Sequence, residues 1–117
     1  MVRVEGDRMF GTIATLHPKA GQEGAVAEAV DSWWRERSGK VEGTVCVHLY
    51  RGTAEGELVM AVVFDTQEHY EANANDPDQD VWYRKLVALL ETEPEWADGE
   101  VLSSHSAGLD TVSVSSS

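Results

Sequence analysis

His48 and Tyr50 are the first residues whose types and spacing suggest chemistry, because they lie two positions apart in the segment GTVCVHLYR. Residues two apart in a β-strand point to the same face of the sheet. An imidazole can accept a proton and a phenol can donate a hydrogen bond, so this pair could act on an aromatic hydroxyl group. A His and a Tyr on such a face are more often hydrogen-bonded across a buried interface, and that alternative stays open.

Aromatic residues form the second group of interest, since the chain has four Trp, three Tyr and two Phe. Together they could build the walls of a cavity for a flat ligand. We predict ligand contacts from one helical Trp and from side chains on the strands: Trp82, Phe10, Thr12, Met60 and Phe64. Packing within the core is the alternative role for each of them.

The composition and the motifs that are missing narrow the function classes. There is one Cys, the four His have no metal-ligand spacing, and neither HExxH nor a Gly-rich phosphate loop is present, so we predict no metal and no cofactor. The net charge of −12 argues against nucleic acid and anionic membranes as partners. The start MVRVEGDRMF lacks the apolar core of a signal peptide, and no run of about 18 apolar residues occurs, so a cytoplasmic location is expected.

The elements that must position these residues follow from hydrophobic periodicity. Loose alternation predicts a strand from Arg8 to Leu16, and a 3.6-residue period predicts a helix around Val26 to Trp34. Two apolar strands, GTVCVHLYR and ELVMAVVFD, are joined by the turn GTAEG and form a hairpin. Asp65 is the expected cap of a short helix, and Asp76, with a Pro after it, is the expected cap of the next.

A final strand is predicted from Glu100 to His105, after a turn at residues 95–99. The resulting order β-α-β-β-α-β predicts an α+β, ferredoxin-like fold with a four-stranded antiparallel sheet. We predict a single domain over residues 1–105 and a flexible polar tail over 106–117. Both faces of the hairpin are apolar, whereas two helices can cover only one face of the sheet, so we predict a homodimer through the other face.

Several local features resemble the antibiotic biosynthesis monooxygenase-type domain of the dimeric α+β barrel superfamily. They are the element order, the strand end VFD running into TQEHYEA over Val63–Ala72, the Asp-Pro break, and the closing segment EPEWADGE at Glu93–Glu100. The resemblance covers about residues 8–105. It implies that two protomers pair their sheets into a barrel, which agrees with the homodimer expected from the hydrophobic pattern.

The resemblance also bears on activity. The haem-degrading branch of the superfamily uses an Asn on the first strand, a Trp at the end of the third and a His on the last long helix. This chain has Thr12 or a neighbour at the first position, Phe64 at the second and no His over 81–91, so haem degradation is not expected. The quinone-forming branch oxidises an electron-rich aromatic with molecular oxygen and no cofactor. By that likeness, His48 could act as the base and Tyr50 as a hydrogen-bond donor. Trp82 could form a wall of the site, and Arg84 could be the partner of the oxyanion.

The sequence therefore favours a cofactor-independent monooxygenase that oxidises a hydroxylated aromatic small molecule, with catalytic roles for His48, Tyr50 and Arg84. One alternative is a homodimer of the same fold that binds a small molecule without catalysis. A structural or interaction module is a further alternative, although the acidic surface and polar tail point to no specific partner.

Overall fold

The computed structural model describes residues 8–107. Its elements are β1 (Phe10–Leu16), α1 (Glu23–Arg37), β2 (Thr44–Arg51), β3 (Leu58–Phe64), α2 (Gln67–Ala74), α3 (Pro77–Val87) and β4 (Glu95–Glu100). The four strands form one sheet in the order β2-β3-β1-β4, and every neighbouring pair is antiparallel. The predicted α+β, ferredoxin-like arrangement is confirmed.

Strand β1 lies in the middle of the sheet, and its side chains alternate between two different environments. Phe10, Thr12 and Ala14 are buried on the face that the helices cover, whereas Ile13, on the opposite face, is 52% exposed. This period of two follows from the pleat of the strand. The alternation of apolar residues in the sequence therefore identified the strand correctly.

The hydrophobic core lies between this covered face and the helices α1 and α3. The largest buried cluster draws aliphatic side chains from β1, β3, α1, α3 and the residues just after α3: Ala14, Leu16, Val26, Val30, Leu58, Met60, Leu86 and Leu90. Leu16, Val26 and Leu86 have no exposed surface. Burial of each such side chain contributes about 1.5–3 kcal/mol to folding. This cluster therefore stabilises the strands and helices that carry any site beside it.

The starts of α2 and α3 are each fixed by a capping side chain, of which one was predicted and one was not. Asp76 accepts a hydrogen bond from the backbone of Asp78, and Pro77 occupies the first helical turn, as expected. At α2, however, the cap is Thr66, whose hydroxyl accepts from the backbone N–H of His69. The prediction that Asp65 caps this helix was wrong, because its carboxylate binds the His69 side chain instead.

The last strand also differs from the prediction. Strand β4 occupies Glu95–Glu100, where a turn was expected, and no strand is found from residue 101 to 105. Its register with β1 pairs Thr12 with Asp98 and Ala14 with Trp96. The segment EWADGE has no run of apolar residues that would reveal a strand, and it is held in the sheet by backbone pairing with β1.

The second face of the sheet has no helix against it in the described part of the chain. It presents Ile13 and Tyr50 with 52% and 54% of their surfaces exposed. A groove of about 310 Å³ also lies there, with small residues such as Gly11, Ala61 and Ala97 in its lining. We call this surface the open sheet face. No helix within residues 8–107 is long and apolar enough to cross a membrane.

The predicted division into a domain over 1–105 and a tail over 106–117 stays a prediction. Ser106 and Ala107 are exposed and lie outside the strands and helices, and residues 108–117 lie outside the described part of the chain.

Candidate small-molecule site

A cavity of about 440 Å³ lies between the covered face of the sheet and the helices. Its walls come from all four strands and all three helices, and they include Thr12, Val30, Trp33, Val47, Met60, Val62, Phe64, Tyr70, Asn73, Ala74, Gln79, Asp80, Trp82, Tyr83, Trp96 and Asp98. This volume falls within the usual range for small-molecule sites and is large enough for two or three fused rings.

Aromatic rings make up much of the cavity wall, and hydrogen bonds hold two of the indoles in place. Trp33 and Trp82 meet edge to face with 6.5 Å between ring centroids, and Tyr83 and Trp96 approach to 6.1 Å. The indole N–H of Trp82 donates to the carbonyl oxygen of Ala29 at 2.9 Å. A wall of fixed rings favours a flat aromatic ligand, because stacking then costs little conformational entropy.

Asp98 supplies the most distinctive polar group of the cavity. The hydroxyl of Thr12 donates to its Oδ1 at 2.6 Å, and the hydroxyl of Tyr70 donates to the same oxygen at 3.1 Å. No group within residues 8–107 donates to Oδ2. The carboxylate is therefore held by two protein donors through one oxygen and has its second oxygen available to a ligand donor.

The Tyr70 hydroxyl lies in an environment that keeps it protonated. Burial raises the pKa of Tyr70 above its ordinary value, and the negative charge of Asp98 raises it further. Its ring packs against Phe64 with centroids 5.8 Å apart, which places α2 over this end of the cavity. Tyr70 is thus a neutral donor toward Asp98 and the side chain that joins α2 to the sheet.

No Lys, Arg or His lines the cavity among the residues that the structure describes. The other carboxylate, Asp80, is engaged by Arg84, whose Nε donates to it at 2.9 Å from a side chain that is 80% exposed. The Oδ1 atom of Asn73 is buried and has no hydrogen-bond partner. The cavity therefore has a negative character, with Asp98 as its uncompensated charge.

The structure divides the predicted site residues into separate groups. Thr12, Met60, Phe64 and Trp82 line the cavity. Phe10 does not line it, but its ring packs on that of Tyr70 with centroids 5.1 Å apart.

The three residues predicted to be catalytic do not line the cavity. His48 pairs with Ala61 and Tyr50 with Val59 on the open sheet face, where their rings stack at 6.5 Å. Arg84 points into solvent. Since the sheet separates His48 and Tyr50 from Trp82, these side chains do not form one site within a protomer, and their catalytic roles stay predictions.

Sequence reasoning missed four residues that give the cavity its character: Asp98, Trp96, Tyr70 and Gln79. Trp96 lies on β4 with 42% of its surface exposed. The useful signal was the spacing of Trp96 and Asp98, which places both on one face once the segment is recognised as a strand.

A second polar cluster lies outside this cavity, at the start of α2. Nδ1 of His69 lies 2.6 Å from the carboxylate of Asp65, and its Nε2 lies 3.4 Å from that of Glu42. The hydrogen bond with Asp65 is the main cause that raises the pKa of His69. Gly43 has a φ of 88°, and a Cβ at this position would collide with both Asp65 and His69.

Within residues 8–107 no group of three or more His, Cys, Asp or Glu is arranged to hold a metal ion.

No protein-family model matches the sequence, and no curated protein matches it either. Solved structures do match the fold. One is a "putative antibiotic biosynthesis monooxygenase" from Caulobacter crescentus, with a TM-score of 0.73 and 12% identity over 84% of this chain and 93% of that one. Another is Rv0793 from Mycobacterium tuberculosis, with a TM-score of 0.70 and 17% identity over 84% and 99%. A third is NE2512 from Nitrosomonas europaea, a protein of unknown function, with a TM-score of 0.69 and 18% identity over 86% and 95%. At such identities the likeness establishes the fold, which is the one that the sequence features predicted.

Proposed function

We propose that the protein is a cofactor-independent monooxygenase that binds a hydroxylated aromatic molecule in the cavity between sheet and helices and oxidises it with molecular oxygen. The observation that carries this proposal is the Asp98 carboxylate in an aromatic-walled cavity, held through Oδ1 and open to a ligand through Oδ2. The names of structural neighbours such as the Caulobacter crescentus protein support the same class of reaction.

The proposed chemistry starts with the ligand hydroxyl donating to Oδ2 of Asp98. Transfer of its proton to the carboxylate leaves a phenolate, which is rich enough in electrons to reduce oxygen directly. One oxygen atom then bonds to a ring carbon, which becomes a carbonyl. The other leaves as water with two hydrogens, one from that carbon and one from the hydroxyl group. A phenol and one O₂ thus give one quinone and one H₂O.

The protein contributes position and environment to this reaction. Thr12 and Tyr70 fix Oδ1, so that Oδ2 meets the ligand with little reorganisation. The rings of Trp33, Trp82 and Trp96 in the wall offer flat apolar surfaces against which the ligand ring packs. The base that the sequence suggested, His48, is on the other face of the sheet. We therefore assign proton acceptance to Asp98.

Oxygen uptake by the metal-free, cofactor-free protein tests this proposal, with dihydroxylated anthrones, naphthols and catechols as substrates. Because general base catalysis contributes about 10²–10⁴-fold, Asp98→Asn is expected to lower the turnover rate by at least about 100-fold on any substrate that is oxidised. His48→Ala is the matched control and is expected to keep turnover. Uptake that survives Asp98→Asn, or that is lost only in His48→Ala, contradicts the assignment of the base.

Non-catalytic binding is the second candidate function. It is favoured by the absence of any Lys, Arg or His among the described residues of the cavity wall, because no cation is then present to stabilise an oxyanion. Binding of the same aromatic molecules without oxygen uptake across the panel would support this candidate over the oxygenase.

We also propose that two copies associate through the open sheet face. This face exposes Ile13 and Tyr50, and the groove beside Ile13 is lined by small residues that leave room for an aliphatic side chain. A two-fold axis would therefore let Ile13 of each copy fill the groove of the other. The cavity lies on the opposite face, so each protomer keeps a complete site of its own.

A further inference from the structure

The second polar end of the cavity is the amide of Gln79, at the first turns of α3. The indole N–H of Trp33 donates to Oε1 of Gln79 at 2.7 Å. Because an indole nitrogen can only donate, this hydrogen bond fixes which end of the amide is the oxygen. Trp33 is 6% exposed and is therefore a rigid support.

With Oε1 engaged, the amino group of Gln79 is the free end of the amide. No acceptor within residues 8–107 receives a hydrogen bond from its Nε2, and this nitrogen is not among the buried atoms that lack a partner. Gln79 lines the cavity together with Asp98. The cavity thus presents a neutral donor on the helix side and a charged acceptor on β4.

We propose that Gln79 is a specificity-determining residue whose amino group donates a hydrogen bond to a carbonyl oxygen of the ligand. The preferred ligand is an uncharged aromatic ketone that carries a hydroxyl group, with the hydroxyl at Asp98 and the carbonyl at Gln79. This inference rests on the proposed use of the cavity as a ligand site, and it adds the second recognition point and the charge of the ligand.

The charges of the wall argue against an acidic ligand. Asp98 has no cationic partner among the described residues, and Arg84, which follows the lining residue Tyr83, is bound to Asp80. A ligand carboxylate would therefore meet like charge with no Lys or Arg to offset it. A carbonyl is an acceptor without a charge, so it can use the Gln79 donor at no such cost.

The test compares two probes that share a fused ring system and a phenol: 6-hydroxy-1-tetralone, which has the ketone, and 5,6,7,8-tetrahydro-2-naphthol, which lacks it. Isothermal titration calorimetry at about pH 6.5, where both phenols are neutral, gives their dissociation constants. One neutral hydrogen bond makes a difference of about tenfold, so the native protein is expected to bind the ketone about tenfold more tightly.

Gln79→Glu is the informative variant, because a carboxylate can still accept from Trp33 but has no N–H to donate. It is expected to remove the preference for the ketone. Gln22→Glu adds the same charge at the residue before α1, outside the cavity wall, and is expected to keep the preference. Gln79→Met is the second variant and removes the donor without adding charge, at the cost of an unpaired Trp33 N–H.

The proposal is supported by a preference in the native protein and in Gln22→Glu that disappears in both Gln79 variants. Equal binding of the two probes by the native protein overturns it, as does a preference that persists in Gln79→Glu, or no binding of either probe. These readouts involve no oxygen. If the native protein prefers the ketone but takes up no oxygen with any substrate, the result counts against the oxygenase alone. If it takes up oxygen but binds the two probes equally, the result counts against the role of Gln79 alone.

Discussion

The open sheet face allows a sharp test of the proposed homodimer through Ile13→Asp. Ile13 is 52% exposed in one protomer, and full burial of an Ile contributes about 1.5–3 kcal/mol, so burial of the exposed half contributes about 1 kcal/mol. A two-fold interface contains this side chain twice, which makes about 2 kcal/mol. Each buried aspartate would add a desolvation cost of several kcal/mol.

The total penalty is at least about 5 kcal/mol, which corresponds to a dissociation constant more than about 1,000-fold larger. Sedimentation velocity over a series of protein concentrations measures this change directly. The matched control is Val81→Asp, because Val81 is 55% exposed but lies on α3, away from the open sheet face. A native protein that is monomeric at all concentrations, an Ile13→Asp variant that associates as the native protein does, or dissociation caused by Val81→Asp would each refute the reasoning.

Two further predictions concern stability. Leu86→Ala removes a side chain with no exposed surface from the core and is expected to lower the free energy of unfolding by about 2–5 kcal/mol in denaturant titrations. Leu102→Ala, at a position 83% exposed, should change it by less than about 0.5 kcal/mol, and similar losses for both would contradict the assigned core. The raised pKa of His69 means that its ion pair with Asp65 stabilises the fold fully below about pH 6.5 and loses this effect as the pH rises through the folded-state pKa. Asp65→Asn should therefore reduce the decline in stability above pH 6.5, and an unchanged pH profile would show that the pair does not contribute.

The fold was largely predictable from the sequence because most elements are specified by their own residues. Strand β3 is a continuous apolar run, helix α1 has a helical hydrophobic period, and Asp76 with Pro77 marks the start of α3. Strand β4 was missed because Asp98 and Gly99 are typical of a turn, and only pairing with β1 makes this segment a strand. Local sequence cannot reveal an element that depends on a partner so distant along the chain.

The candidate site was only partly predictable for the same reason. Thr12 and Trp82 were found because they lie on elements that were identified correctly. Asp98 was missed together with its strand. Gln79 was missed because a polar residue in the first turns of a helix is usually solvated, and its bond to Trp33 spans 46 residues. The prediction for His48 placed a chemically suitable residue on the face that the cavity does not use.

The acidic character of β4 has a consequence for how the protein avoids aggregation. This strand ends the sheet, and within residues 8–107 no other strand pairs with its outer side. Its six residues include Glu95, Asp98 and Glu100, and all six are exposed. Edge strands with few charges tend to pair edge to edge with strands of other molecules and form aggregates, whereas charged ones repel such pairing. The acidic residues of β4 thus hinder the addition of a further strand to this edge of the sheet and so work against edge-to-edge aggregation.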